Sequence, residues 1–232
     1  MDTPARVLVV IAHPDDAEFG CSGTVAKWVR EGAEVHYLVA TYGDKGSQDP
    51  EMLPERLAVI REAEQRAACA VLGVKSVEFM GYPDGEVEPS REMLGKIVRQ
   101  IRKVRPDVIL TMEHMSRLAH SHRDHRMTGL TAQDACFPYC RDRLHFPEHL
   151  REGLEPHKVG TVLFFAGPDA ETLHEYIDIS NVIDVKVAAI KKHCSQIGDR
   201  DVSPATMERA KQLGEKIGVQ YAEAFRKITF RT

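Results

Sequence analysis

The sequence predicts an α/β protein, a Rossmann-like three-layer α/β/α fold with a mostly parallel sheet of order 3-2-1-4-5 and extra C-terminal strands. Three observations predict it. Residues 6–12 form an unbroken apolar run rich in β-branched side chains, the mark of a strand buried on both faces. Strand-like segments at 6–12, 34–41, 76–81 and 107–112 alternate with helical patterns, and such alternation implies right-handed crossovers and parallel pairing. No repeat, low-complexity tract or Pro/Gly/Ser-rich linker interrupts the pattern, so residues 1–232 read as one domain.

Each element has its own signal. Residues 17–30 keep helical spacing and stop at Glu31-Gly32, where glycine suits the position just past a helix end. The second strand, 34–41, is followed within 51–72 by a long helix closed by Gly73. Residues 76–81 are the third strand, and 91–104 a helix that stops before Pro106. Residues 107–112 are the fourth strand and 125–136 the next helix. Further strands are expected at 159–166 and 176–179, then helices at 183–196 and 204–226.

Composition narrows the function. With 31 Lys+Arg against 35 Asp+Glu, the net charge of −4 lacks the basic excess of a protein that neutralises phosphates, so a nucleic-acid partner is not expected. No apolar run approaches the ~18 residues of a membrane span, and the start, Met1 to Arg6, lacks a signal-peptide layout. A cytoplasmic enzyme is the expectation. The five cysteines form no C-x-x-C pair; Cys21, Cys69 and Cys194 read as small buried groups in helices. Cys136 and Cys140, four apart, share a helix face and read as packing.

Two polar clusters fall where an open parallel sheet binds ligands. His13-Pro14-Asp15-Asp16 ends the first strand, and His120-Ser121-His122-Arg123-Asp124-His125 follows the fourth. In the order 3-2-1-4-5 these strands are neighbours at the topological switch point, so both clusters open onto one crevice. Alone, the first cluster reads as a helix N-cap and the second as a solvated turn. Together they offer imidazoles and carboxylates, which suit a borderline divalent ion. Two His and one Asp leave tetrahedral zinc one open position for water. The same donor set suits Fe(II). Amide hydrolysis also needs a base and an oxyanion donor, and each cluster has a residue to spare. His36, His145, His149, His157 and His174 lack such a context, whereas His114 directly follows the fourth strand.

These residues carry a resemblance. Ala12-His13-Pro14-Asp15-Asp16-Ala17-Glu18 with His122-Arg123-Asp124-His125 resembles the LmbE-like (PIG-L type) N-acetylglucosaminyl deacetylases. Weaker blocks at 41–47, 61–64, 72–73, 83–85 and 221–225 match in the same order. The resemblance implies zinc held by His13, Asp16 and His125, with Asp15 as general base. It implies a protonated His122, oriented by Asp124, that stabilises the oxyanion. Arg61 and Asp84 would contact the substrate, an N-acetylated amino sugar or its conjugate, and the protein would be a homo-oligomer. Arg61 also has a simpler reading as an intrahelical partner of Glu62 or Glu64. Arg123 stands where the family often has Pro, which alters the pocket rim and not the ligands.

Other readings separate on specific features. A dinucleotide-binding protein would carry a glycine-rich turn after the first strand, where this chain has His-Pro-Asp-Asp. A non-catalytic relative would have lost a ligand or the base, and every expected position is filled. An amidase acting on a thiol-sugar conjugate would use the same machinery. The segment 137–156, with Arg141, Arg143, His145 and His149, is where substrate shape would be read.

Overall fold

The computed structural model describes residues 1–115, 121–165 and 175–230, and seven strands pair into one sheet. They are β1 (Arg6–Ile11), β2 (Glu34–Thr41), β3 (Ser76–Tyr82), β4 (Val108–Met112), β5 (Thr161–Phe165), β6 (Glu175–Asp178) and β7 (Ala222–Thr229). Their order is β3-β2-β1-β4-β5-β7-β6. The first five are parallel, and β7 runs antiparallel to both β5 and β6. The switch point between β1 and β4 is therefore where the sequence predicts it.

The helices are α1 (Asp16–Gly20), α2 (Ser22–Arg30), α3 (Pro54–Leu72), α4 (Arg91–Val104), α5 (Arg123–Asp134), α6 (Glu148–Arg151), α7 (Ile183–Ile190), α8 (Cys194–Ile197) and α9 (Ser203–Glu215). Alternate residues of β1 feed two cores, the consequence of a strand's two-residue period. Val7, Val9 and Ile11 pack with Val25, Trp28 and Leu72 on one face. Leu8 and Val10 pack with Ile97, Ile101 and Ala132 on the other. These five β1 side chains are fully buried, and only Arg6 at the strand's start is exposed, which explains the unbroken apolar run.

Three expected helices are revised. The segment 17–30 is two helices, broken at Cys21, whose φ of −145° is not helical. The segment 183–196 breaks after Ile190 and resumes at Cys194, leaving His193 at the junction. The segment 204–226 is helical only to Glu215; Gly218, at φ +75°, turns the chain back and Ala222–Thr229 becomes a strand. Local propensity favoured a helix there, but pairing with β5 and β6 outweighs it. Cys194 is exposed, contrary to expectation, while Cys21 and Cys69 are buried. Cys136 and Cys140 are buried across a kink at Phe137, and their thiols donate to carbonyls of Ala132, Cys136 and His157.

One buried ion pair ties the C-terminal part of the chain to the β1 side. Lys186 on α7 lies 2.7 Å from Glu223 on β7 and donates to the carbonyls of Glu18 and Phe19. Glu223 in turn accepts from Gly23 N and Thr24 N, the first turn of α2, where a helix favours negative charge. Both side chains are about 5% exposed. Removing one partner of such a pair strands the other charge, so Lys186→Met is expected to destabilise the fold by about 3–5 kcal/mol. Urea unfolding measures this, and a loss below about 1 kcal/mol would place the pair among the weak, solvent-screened kind.

Candidate metal and catalytic centre

β1 ends at Ile11, and the chain turns through His13, Pro14 and Asp15 into α1. Asp15 holds φ +92°, ψ −23°, a left-handed conformation unfavourable for a residue with a side chain. Its carboxylate caps no helix amide, so the N-cap reading fails and the side chain is left for other work. Beyond β4, His122 is the N-cap of α5; its Nδ1 accepts a hydrogen bond from Asp124 N at 3.1 Å. Parallel pairing of β1 with β4 sets the two turns side by side.

The result is a tight cluster of donors. His13 Nδ1 lies 3.3 Å from His125 Nε2 and 3.6 Å from Asp16 Oδ2, and His125 Nε2 lies 3.1 Å from Asp16 Oδ1. Donors bound at about 2.0–2.1 Å to one tetrahedral centre lie about 3.3–3.4 Å apart, so this spacing fits a zinc-sized ion. Two looser groups share His13. The ligand atoms of His13, His122 and His125 lie within 4.8 Å of one another, as do those of His13, Asp84 and Asp124. Asp16 makes the closer set.

The other side of His13 settles its tautomer. His13 Nε2 is 3.0 Å from Asp84 Oδ1 and 3.2 Å from Asp124 Oδ2, so the neutral ring, the form that binds a metal, would keep its proton toward these acceptors and turn the Nδ1 lone pair to Asp16 and His125. A carboxylate behind a ligating imidazole is the usual support for a metal site. The field has the matching sign. Burial opposes charge on His13, yet its hydrogen bonds to Asp124, Asp16 and Asp84 push its pKa up to about 12. Burial alone would raise Asp16, but His125 and His13 hold it well below the usual carboxylate range. The pocket thus favours positive charge at the point where three lone-pair donors meet, and the residues fit a divalent cation.

Asp15 sits beside this cluster in different surroundings. Burial and the adjacent Asp16 charge raise its pKa to about 7, against Arg61 and His193. A cation on Asp16 would turn that repulsion to attraction and keep Asp15 ionised at neutral pH, the form a base requires. Arg61, only 4% exposed, lies under the turn. It donates to Pro14 O at 2.6 Å and Gly43 O at 2.9 Å, and contacts Asp15 Oδ2 at 3.3 Å. It pairs with neither Glu62 nor Glu64, and its guanidinium braces the turn. Gly43 makes room for it, since a Cβ there would lie 2.3 Å from Arg61 Nη1.

Other expectations shift. The Asp124 carboxylate is fully buried and bonds to His13, Gly85 N (2.7 Å) and Val87 N (3.3 Å); it orients His13, while His122 meets only the Asp124 backbone. That bond requires a lone pair on His122 Nδ1. Burial, then the neighbouring His13 and His125, lower the His122 pKa, and with Nδ1 accepting from Asp124 N the ring's other nitrogen, Nε2, is the one that bears a proton. Asp84 is within reach of the site through His13, and Lys45 N donates to its other oxygen. Burial would raise its pKa, but His13 holds it down at about 2.

Arg123 points away, to Val87 O and Glu88. His114 lies against Phe164, with ring centroids 5.4 Å apart. In the segment 137–156, Arg143 pairs with Glu155, Arg141 with Asp142, His145 packs on Tyr139, and His149 stacks on Phe146. Arg102 donates to five carbonyls that hold this segment in place. Arg141 and Arg143 are thus engaged in local pairs. His36 bonds Ser76 and Glu34, and His157 bonds Pro106 O, as structural histidines do. His120 and His174 lie outside the described residues. Sequence reading missed Gln65, which accepts from Asp15 N at 3.0 Å, and His193, 3.3 Å from Glu18.

A parallel α/β sheet carrying two imidazoles and a carboxylate at its switch point, with a second carboxylate poised beside them, defines a class of metal-assisted hydrolases. The model of the GlcNAc-PI de-N-acetylase family, PIG-L, matches residues 8–136, more than half of the 232, and the chain belongs to this family. It is 32% identical over 225 residues to the diacetylchitobiose deacetylase of Thermococcus kodakarensis, covering 95% of this chain and 82% of that protein. It is 30% identical over 197 residues to the mycothiol S-conjugate amidase of Streptomyces coelicolor, covering 75% of this chain and 66% of that protein. Among solved structures, it is similar to N,N'-diacetylchitobiose deacetylase from Pyrococcus horikoshii, complexed with its inhibitor MPG, with a TM-score of 0.90 and 30% identity. That match covers 97% of this chain and 84% of the other.

Proposed function

We propose that this protein hydrolyses the N-acetyl group of an amino sugar or its conjugate, with zinc held by His13, Asp16 and His125 and Asp15 as general base. One observation carries the reading. Two ring nitrogens and a carboxylate converge with spacings of 3.1–3.6 Å beside a carboxylate whose pKa is about 7. Family membership and the named deacetylases support the substrate class.

Zinc, when bound, supplies a Lewis acid that acidifies water and polarises the amide carbonyl. The chain supplies the rest. Asp15 takes a proton from the attacking water and returns it to the departing amine, so acetate and the free amine are the products. His122 Nε2–H donates to the oxygen on which negative charge develops; its Nδ1 bond to Asp124 N fixes the ring for this. Asp124 and Asp84 hold His13 in one tautomer. Arg61 holds Asp15 in place. Asp84, beside His13 and about 8% exposed, is the carboxylate that the family resemblance assigns to the sugar hydroxyls.

The test is a panel of N-acetylated amino sugars, free and conjugated, with amine and acetate counted and metal-stripped enzyme as control. Acetate release only from metal-loaded protein is the expected result, and silence across the panel would overturn the substrate class. The similarity to a mycothiol S-conjugate amidase supports a second reading, amide hydrolysis of a thiol-sugar conjugate, so the panel includes one. Metal analysis of protein purified without oxygen separates zinc from iron. No helix among the described residues is long and apolar enough to cross a membrane. The cytoplasmic, homo-oligomeric enzyme expected from sequence is part of the same proposal; light scattering tests the assembly and fractionation the compartment.

A further inference from the structure

α3 turns a buried stripe toward the sheet: Leu57, Arg61, Gln65, Ala68, Cys69 and Leu72. Arg61 and Gln65 are its strongly polar members, four apart and so on one face. Gln65 is fully buried, and both ends of its amide have partners. Asp15 N donates to Oε1 at 3.0 Å, and Nε2 donates to Glu18 Oε1 at 3.0 Å. Glu18 is also fully buried, and its second oxygen lies 3.3 Å from His193 Nε2 at the α7–α8 junction.

We infer that Gln65 is a positioning residue for Asp15, holding the base in its left-handed turn, and that Glu18, which accepts from its Nε2, fixes which way the Gln65 amide faces. This inference rests on the reading of Asp15 as the base. The chemistry of the two neighbours selects the residue. A buried N–H needs an acceptor and a buried carboxylate needs a donor, and an amide supplies both at once. With glutamate there, two carboxylates would face each other. With methionine, both neighbours would lose their partner in a fully buried place. Asp15 has no intrinsic preference for φ +92°, so its direction depends on what grips the turn: Arg61 on Pro14 O and the side chain, and Gln65 on the backbone N–H.

The experiment compares Gln65→Met, Gln65→Glu and Asp15→Asn in the full, zinc-loaded protein, reading kcat, KM and bound metal. Misplacing a reacting group by about 1 Å costs on the order of 100-fold, so Gln65→Met is expected to lower kcat by about 30- to 100-fold, with KM and metal content unchanged. Gln65→Glu keeps an acceptor for Asp15 N, is nearly isosteric, and serves if the methionine variant does not fold; its expected loss is about tenfold, since the grip on Asp15 survives and the facing carboxylates displace it. If Asp15→Asn is inactive while both Gln65 variants stay within about twofold of wild-type kcat, the positioning role is overturned and the base reading stands. If the Gln65 variants lose metal or raise KM in proportion to the fall in kcat, Gln65 is structural only and the inference fails. If Asp15→Asn keeps wild-type kcat, the base reading fails first and the inference with it.

Discussion

Asp15→Asn is expected to lower kcat by about 10²- to 10⁴-fold, the range a general base contributes, while the protein keeps its full complement of divalent metal. The separation follows from the geometry. Asp15 is adjacent in sequence to Asp16 but turned from it by its left-handed backbone, and its contacts run to Arg61 and Gln65. Asparagine has nearly the same shape and still accepts from Arg61, so the turn and the metal donors stay in place. What it lacks is a basic site for a proton. Metal analysis beside steady-state kinetics checks this, and a variant that loses metal together with turnover would move Asp15 into the ligand set.

His13→Ala has the opposite signature: metal and turnover vanish together, with kcat at least about 10³-fold down at micromolar zinc. His13 is the hub of the cluster, since its Nδ1 faces Asp16 and His125 while its Nε2 meets Asp84 and Asp124. Asp124→Asn marks the graded alternative. It removes the carboxylate behind the ligand and keeps the ligand, a change that ordinarily weakens metal binding by about 10–100-fold. Competition against a chromogenic chelator ranks the two. Equal affinity in Asp124→Asn and wild type would show that Asp124 serves something other than His13.

Much of this centre is legible in the sequence, because parallel strands carry their ligands at predictable ends. His13 and His125, 112 residues apart, meet at 3.3 Å for the reason the strand order predicts. Spacing along the chain was a poorer guide to partnership. His122 and Asp124 look like a pair at two residues' separation, yet on a helix N-terminus the imidazole meets the Asp124 backbone and the carboxylate turns to His13. Arg61 beside Glu62 and Glu64 looks like a surface ion pair, but the stripe from Leu57 to Leu72 shows that its face is buried. That stripe is also the signal that would have found Gln65. His193 had none, since it lies at a helix break that a continuous helical pattern over 183–196 concealed. The C-terminal strand was missed similarly: Ala222–Thr229 has helix-forming residues, and only its place between β5 and β6 makes it a strand.

Metal-dependent hydrolysis is tested most directly by stripping the wild-type protein of metal and titrating zinc back while acetate release from an N-acetylated amino sugar is followed. Activity is expected to be absent from the stripped protein, to rise linearly with added zinc, and to plateau at one equivalent per chain. Acetate released at full rate by the stripped protein, or folded protein that zinc fails to revive, would contradict it.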